Sequence, residues 1–269
     1  MPCLACLWAL LSAALPAQPL FDAHLHYSAA DARAFTPAEI LAILDRNGVR
    51  RALVSGTPNE HTEALYRHAP DRIVPFLDLY RDAGDKAHWP GDETLPARVE
   101  AALREGPWRG IGELHLFAGQ RHSPVFRRIV EIAAREGLPL QVHGDPAVID
   151  TLYDIAPGQA VIWAHAGTFP CPELLADYLR RYPALRVDLS VRDGRVAPDG
   201  VLAEDWRQLF LDFPDRFMVG VDSFSVRRWE RFDGVVEEMR AWLAQLPPDV
   251  ARRLAHDNAA ALLGDRPSP

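Results

Sequence analysis

His24 and His26 stand two residues apart in Phe21-Asp22-Ala23-His24-Leu25-His26, at the end of a short apolar run. On a β-strand, side chains two apart leave the same face, so both imidazoles can reach one ion. His143 closes the run Leu140-Gln141-Val142-His143, His165 follows Ile162-Trp163-Ala164, and Asp222 closes Val219-Gly220-Val221-Asp222. Glu113 lies in Gly110-Ile111-Gly112-Glu113-Leu114-His115. Imidazole and carboxylate together suit zinc and other first-row divalent ions. Three or four such ligands with one open position make a hydrolytic site, because the ion lowers the pKa of bound water to about 7. The spacing predicts a metal held by His24, His26, His143 and Asp222, with His165 close by.

A His-x-His pair alone is weak, being more often structural or surface than ligating. The pattern gains its force from the elements that carry it. Eight apolar runs of strand length punctuate the chain, at residues 20–24, 51–55, 73–79, 110–116, 138–143, 160–165, 185–190 and 217–222. Their apolarity is continuous rather than alternating, which suits parallel strands covered on both faces. Helix signals fill the gaps. Thr36-Pro37-Ala38-Glu39 reads as an N-cap, a proline at the first helical position and a capping-box acid. Ser123-Pro124 opens another helix, which Gly137 closes. Further helices are expected at 58–68, 95–104, 146–153, 171–182, 201–213, 235–246 and 249–263. Eight strands alternating with helices predict an α/β fold, a (β/α)8 barrel. An open doubly wound sheet is the alternative, weakened because no Gly-rich phosphate turn follows the first strand. Each candidate ligand then lies at or near the C-terminal end of its strand, where barrel active sites form.

A chain of 269 residues with 48% hydrophobic and 25% charged residues fits one such barrel over residues 18–269. The net charge is −8, the pI about 5.7, and no basic tract is present, which argues against nucleic acid as a partner. Residues 1–17 hold a short apolar run ending in Ala-Leu-Pro-Ala. That run is too short to span a bilayer and reads as a secretory signal, so the expectation is a periplasmic or secreted protein without stable membrane insertion. The leader carries no Lys or Arg, in departure from the usual pattern. Without the leader only Cys171 remains, and no intrachain disulfide can form. Spacing carries no signal for oligomeric state.

Several other polar residues fall near the predicted strand ends. His115 shares the strand parity of Glu113, so it faces the site or belongs to the core or supporting layer. Asp188 and Asp78 are candidates for supporting roles, and Asp22 for orienting the histidine pair, since metal-bound imidazoles usually donate their second N–H to an acceptor. Two long loops, 80–94 and 190–200, carry Arg81, Lys86, His88 and Arg192. Arg81 and Arg192 are the candidate contacts for an anionic substrate. His61, His68, His122 and His256 fall in or beside helices and are expected at the surface.

The strand-1 Asp22-Ala23-His24-Leu25-His26, His143, the Trp163-Ala164-His165-Ala166-Gly167 stretch and Gly220-Val221-Asp222-Ser223 resemble the amidohydrolase superfamily. Within it the chain is most similar to the amidohydrolase-related (amidohydrolase 2) family of barrel hydrolases and decarboxylases. The closing His256-Asp257-Asn258-Ala259-Ala260 resembles that family's C-terminal helix. The resemblance implies that His24, His26 and Asp222 share one ion and that Asp222 is also the general base. In mononuclear members His143 joins that shell and His165 polarises substrate or water. In binuclear members a strand-4 residue bridges two ions, and His143 with His165 hold the second. Gly112-Glu113-Leu114-His115 is similar to the Gly-Glu-Ile-Gly of TatD-like nucleases, which makes Glu113 a bridging candidate and leaves one ion or two open. Departing from that pattern, no basic residue follows His143.

The expected activity is hydrolysis of a C–O or C–N bond in a small molecule, an ester, lactone or amide, with zinc (or else manganese) as cofactor. The alternatives are a metal-dependent decarboxylase acting on an anionic aromatic or enoic acid, a TatD-like nuclease, and a non-catalytic metal-binding barrel. The last is disfavoured by the presence of both Asp222 and His165.

Overall fold

The apolar runs form eight parallel strands in a computed structural model that describes residues 18–264. The expected signal segment, residues 1–17, lies outside the described residues. The strands are β1 (Leu20–His26), β2 (Val49–Ser55), β3 (Ile73–Leu77), β4 (Gly110–Leu116), β5 (Leu140–Gly144), β6 (Val161–Trp163), β7 (Leu185–Asp188) and β8 (Phe217–Met218). Each pairs with the next in chain order. The first strand meets the segment that follows β8 where the Ala23 N–H donates to the Val219 carbonyl (2.9 Å) and the Asp222 N–H to the His24 carbonyl (2.7 Å). The sheet thus closes into a (β/α)8 barrel with helices outside it.

The helices start and stop where local chemistry dictates. Thr36 caps Pro37–Arg46, its side chain accepting from the Glu39 N–H while the Glu39 carboxylate accepts the Thr36 N–H at 2.7 Å. Ser123 caps Pro124–Glu136, and Gly137, at φ 63°, ends it in the left-handed region that glycine enters without cost. The predicted 80–94 and 190–200 loops contain short turns, Ala83–Ala87, Trp89–Gly91 and Asp193–Val196, rather than open coil. The last segment folds as Pro248–Arg252, a π turn at Arg253–Asp257, and Asn258–Leu263. Asn258 fixes it to the barrel by donating to the Phe217 carbonyl (2.8 Å) and the Pro214 carbonyl (2.9 Å).

Two irregularities decide which residues face the inside of the barrel. The β1–β2 register shifts between Asp22 and Leu25, and the β4–β5 register between Ile111 and Leu114. Strict alternation would place His24 on the opposite face from Ala23. With the shift, Phe21 and Ala23 pack into an interior apolar cluster with Leu53, Val74, Phe76, Ile162 and Met218, closed by Ala259 and Leu263. His24 and His26 join the polar end instead. At Gly112 a Cβ would lie 2.5 Å from the Gln141 carbonyl oxygen, so glycine is what lets β4 press against β5 just before Glu113.

The ladder also stops earlier than the apolar runs suggest: β3 and β7 end two residues before the runs at 73–79 and 185–190, and two other strands fall short in ways that bear on the site. The run at 160–165 gives β6 only to Trp163, and the run at 217–222 gives β8 only to Met218. Beyond these points the chain turns. His165 and Ala166 (φ 59° and 54°) and Asp222 (φ 54°) adopt left-handed backbone. For residues other than glycine this costs about 1–3 kcal/mol each and concentrates at functional sites. Here it swings His165 and Asp222 out of the ladder and over the strand ends.

Candidate metal centre

Four ligand atoms from three strand ends converge. The Nε2 atoms of His24 and His26 are 3.1 Å apart. Glu113 Oε2 lies 3.6 Å from the first and 3.5 Å from the second. Asp222 Oδ1 lies 3.8 Å and 3.4 Å from the same two nitrogens. Ligands held at about 2.1 Å around a tetrahedral ion are about 3.4 Å from one another. The spacing of the His24, His26 and Glu113 donors fits such an ion, and Asp222 Oδ1 stands beside both imidazole nitrogens. Asp222 Oδ1 is moreover buried without a hydrogen bond, which would be costly unless a cation occupies the space it faces.

The other oxygen of Glu113 serves a second set. Glu113 Oε1 is 3.1 Å from His143 Nδ1 and 3.0 Å from His165 Nε2. His165 Nε2 is in turn 3.8 Å from Asp222 Oδ2. One carboxylate thus faces two groups of imidazoles, the arrangement a bridging ligand requires. His115 also reaches this carboxylate, its Nε2 3.5 Å from Glu113 Oε2.

The far nitrogens of three of these rings are occupied by oxygens, which turns the near ones inward. His24 Nδ1 meets Asp188 Oδ2 at 3.0 Å, His26 Nδ1 meets Ser55 Oγ at 3.1 Å, and His165 Nδ1 meets Ser190 Oγ at 2.9 Å. Asp188, fully buried, is therefore the acid that orients His24, while Ser55 does so for His26. This corrects the expectation for Asp22, which accepts backbone N–H groups instead, from His24 at 3.0 Å and Val221 at 3.1 Å. Asp22 belongs to the backbone staple between β1 and the segment after β8. Ser223 ties the same two segments, its Oγ accepting the His26 N–H (3.0 Å) and donating to the His26 carbonyl (2.9 Å).

Charge in the centre is mutually held. Burial works against a charged His24, but the carboxylates of Asp188, Glu113 and Asp222 outweigh it and raise the imidazole well above its usual range. His26 goes the same way, to about 9, with burial overcome by Asp222 and Glu113. Burial pushes Glu113 and Asp222 up, yet the imidazoles prevail: Glu113 is held well below the carboxylate range and Asp222 at about 2. Asp22 has burial as its leading cause; the backbone N–H groups of His24 and Val221 and the His24 charge offset it only in part, and it rises to about 7. A cluster of carboxylates that holds positive charge this strongly suits a cation.

All six predicted metal and catalytic residues, His24, His26, Glu113, His143, His165 and Asp222, are thus brought together. The two predicted substrate contacts stand otherwise. Arg81 is largely exposed and grips Asp85, at 2.8 Å and 3.1 Å. It lines a lateral cleft of about 340 Å³ with Asn59, Asp78, Tyr80, Leu95 and Arg98, and none of the six residues borders that cleft. Arg192 is half-buried, its Nε donating to the His165 carbonyl (2.7 Å) and Nη2 to the Gly167 carbonyl (3.0 Å). It holds the turn that carries His165. Sequence reasoning missed Ser55, Ser190 and Tyr80. Ser190, two residues after Asp188 in a strand run, was the one with a readable signal.

No helix among the described residues is long and apolar enough to cross a membrane. Over residues 21–264 the sequence matches the family model described as amidohydrolase. Among solved structures, the chain is similar to a probable 2-pyrone-4,6-dicarboxylic acid hydrolase from Acinetobacter baumannii with citric acid bound. The TM-score is 0.64 at 13% identity, over 91% of this chain and 99% of that one. It is similar to an amidohydrolase from Burkholderia multivorans with bound zinc, at a TM-score of 0.61 and 16% identity over 92% and 100%. It is also similar to a 2,6-dihydroxybenzoate decarboxylase from Rhizobium, at 0.60 and 12% over 91% and 98%. At these identities the likeness is one of fold. A search of the curated proteins finds no match.

Proposed function

The chain belongs to the amidohydrolase family, and from that premise we propose that it is a metal-dependent hydrolase cleaving a C–O or C–N bond of a small molecule, an ester, lactone or amide. The observation that carries this reading is the single carboxylate of Glu113 shared between His24 with His26 on one side and His143 with His165 on the other. The cofactor is a pair of divalent ions. Zinc comes first, supported by the nitrogen and oxygen donors and by the zinc in the Burkholderia multivorans structure. His24, His26, Glu113 and Asp222 would hold one ion, and Glu113 with His143 and a further imidazole would hold the other. Such ions polarise a carbonyl and make water acidic enough to attack it near neutral pH.

The protein's own groups do the rest. Asp222, its Oδ1 free of hydrogen bonds and its Oδ2 3.8 Å from His165, takes a proton from the attacking water and returns it to the leaving oxygen or nitrogen. Its turned-out backbone aims it over the strand ends. His165, fixed by Ser190 at Nδ1, presents Nε2 beside both carboxylates, where it orients the carbonyl under attack.

A second reading, decarboxylation of an anionic aromatic acid, is supported by the fold likeness to the 2,6-dihydroxybenzoate decarboxylase. It needs a cation to clamp the acid. Arg81 and Arg192 are the two candidates, and the first is paired with Asp85 while the second is bound to two backbone carbonyls. That weighs toward hydrolysis.

The test is turnover of zinc-loaded protein against aryl esters, lactones and anilides, with CO₂ release from 2,6-dihydroxybenzoate measured in parallel. Hydrolysis that disappears in Asp222→Asn supports the proposal. CO₂ release without hydrolysis would replace it by the second reading.

A further inference from the structure

His115 is the imidazole that the proposed chemistry leaves without a task. It stands directly opposite His143 in the β4–β5 register. Their ring centroids are 4.6 Å apart. The Glu113 carboxylate reaches a nitrogen of each, with Oε1 3.1 Å from His143 Nδ1 and Oε2, which also faces His24 and His26, 3.5 Å from His115 Nε2. The ligand atoms of Glu113, His115 and His143 all fall within 4.8 Å of one another. Both imidazoles are partly exposed, so the trio keeps an open face toward solvent.

The outer side of His115 resembles that of the other inward-turned histidines. Asp188, Ser55 and Ser190 occupy the Nδ1 atoms of His24, His26 and His165. On His115 the Nδ1 faces the Tyr80 hydroxyl at 3.3 Å. That hydroxyl is buried and fully used. It accepts the His115 backbone N–H at 2.8 Å and donates to the Glu113 carbonyl at 3.0 Å. Its one proton is spent on that carbonyl, so its remaining lone pair accepts from Nδ1–H. The tautomer this selects leaves Nε2 with a free lone pair turned to Glu113, the state a metal-ligating histidine needs. Tyr80 thus fixes the backbone of Glu113 and the ring of His115 with one group.

We propose that His115 is a ligand of the second ion, which Glu113, His115 and His143 would hold, with Tyr80 as the residue that positions them. The assignment rests on the reading that Glu113 bridges two ions. It leaves His165 with its Nε2 between Glu113 and Asp222, available to the substrate.

The experiment counts zinc per chain by plasma mass spectrometry after reconstitution and gel filtration. It compares the wild type, His115→Gln, Tyr80→Phe and the exposed-site control His122→Gln. The wild type and the control should hold about two equivalents. His115→Gln should hold one, and the retained first ion with an unchanged melting transition shows that the barrel is intact. Tyr80→Phe, which deletes only the hydroxyl, should keep both sites and weaken the second by about 10–100-fold in a zinc titration. Two equivalents at wild-type affinity in His115→Gln would overturn the assignment. So would an unchanged second affinity in Tyr80→Phe, should His115→Gln fail to fold. One equivalent in the wild type would overturn the bridged pair itself, and the assignment with it.

Discussion

The two ends of one barrel interior are built from opposite materials. Its floor is Phe21, Leu53, Val74, Phe76, Ile162 and Met218, closed by Ala259 and Leu263. Its mouth is His24 and His26 further along β1, Glu113 and His115 on β4, His143 on β5, and His165 and Asp222 just past the ends of β6 and β8. The floor stabilises by filling space. The mouth gathers buried carboxylates and imidazoles, and spends backbone strain at His165 and Asp222 to do so. Stability and function are thus separated along the strand direction, with the register shifts in β1 and β4 marking the boundary.

Substitutions at the two ends should therefore fail in different ways. The largest effect is expected at Asp222→Asn, which keeps volume but removes the proton acceptor. The kcat should fall by about 10²–10⁴-fold, while the melting temperature of the metal-free protein does not drop. A protein that melts lower without losing turnover would erase the distinction. Next comes Phe76→Ala in the floor. Deleting a fully buried ring should cost about 3–5 kcal/mol in urea unfolding and leave the zinc count unchanged. Loss of zinc from folded Phe76→Ala would show that the floor and mouth are coupled. Asp188→Asn sharpens the comparison from the mouth side. With the acid behind His24 Nδ1 neutralised, zinc affinity should weaken by about 10–100-fold in competition with a chelator. Unaltered affinity would remove Asp188 from the centre. The smallest effect is expected at Ser55→Ala, where one hydrogen bond to His26 Nδ1 is lost. A change of about 1 kcal/mol in zinc binding is expected, against no measurable change in unfolding midpoint beyond that amount.

The strands and the residues that gather at their ends were both legible in the sequence, because each follows from residue type at a fixed period. Continuous apolar runs gave eight strands, and His24, His26, Glu113, His143, His165 and Asp222 all meet as their places at strand ends required. What was not legible depends on contacts across the barrel. Asp188 reaches His24 from a strand 164 residues away, so the nearer Asp22 looked the better orienting acid, whereas it staples backbone. Tyr80 sits after a strand end in a segment that read as a loop, and nothing local says that its hydroxyl joins Glu113 to His115. The two arginines show the other limit. Arg81 and Asp85 are four residues apart, a pairing that could have been anticipated, but the carbonyls that Arg192 holds exist only because the chain turns at His165. The overshoot of the runs at 160–165 and 217–222 has the same origin. Apolarity continues past the point where the backbone leaves the ladder, since the turned residues remain buried.

The measurement that bears most directly on the central claim is the metal content of protein purified without chelator, determined as equivalents per chain by plasma mass spectrometry. The donor sets sharing Glu113 predict about two equivalents of zinc or manganese. No metal as purified, and none taken up on reconstitution, would mean that the histidines of the mouth are structural and would contradict the account.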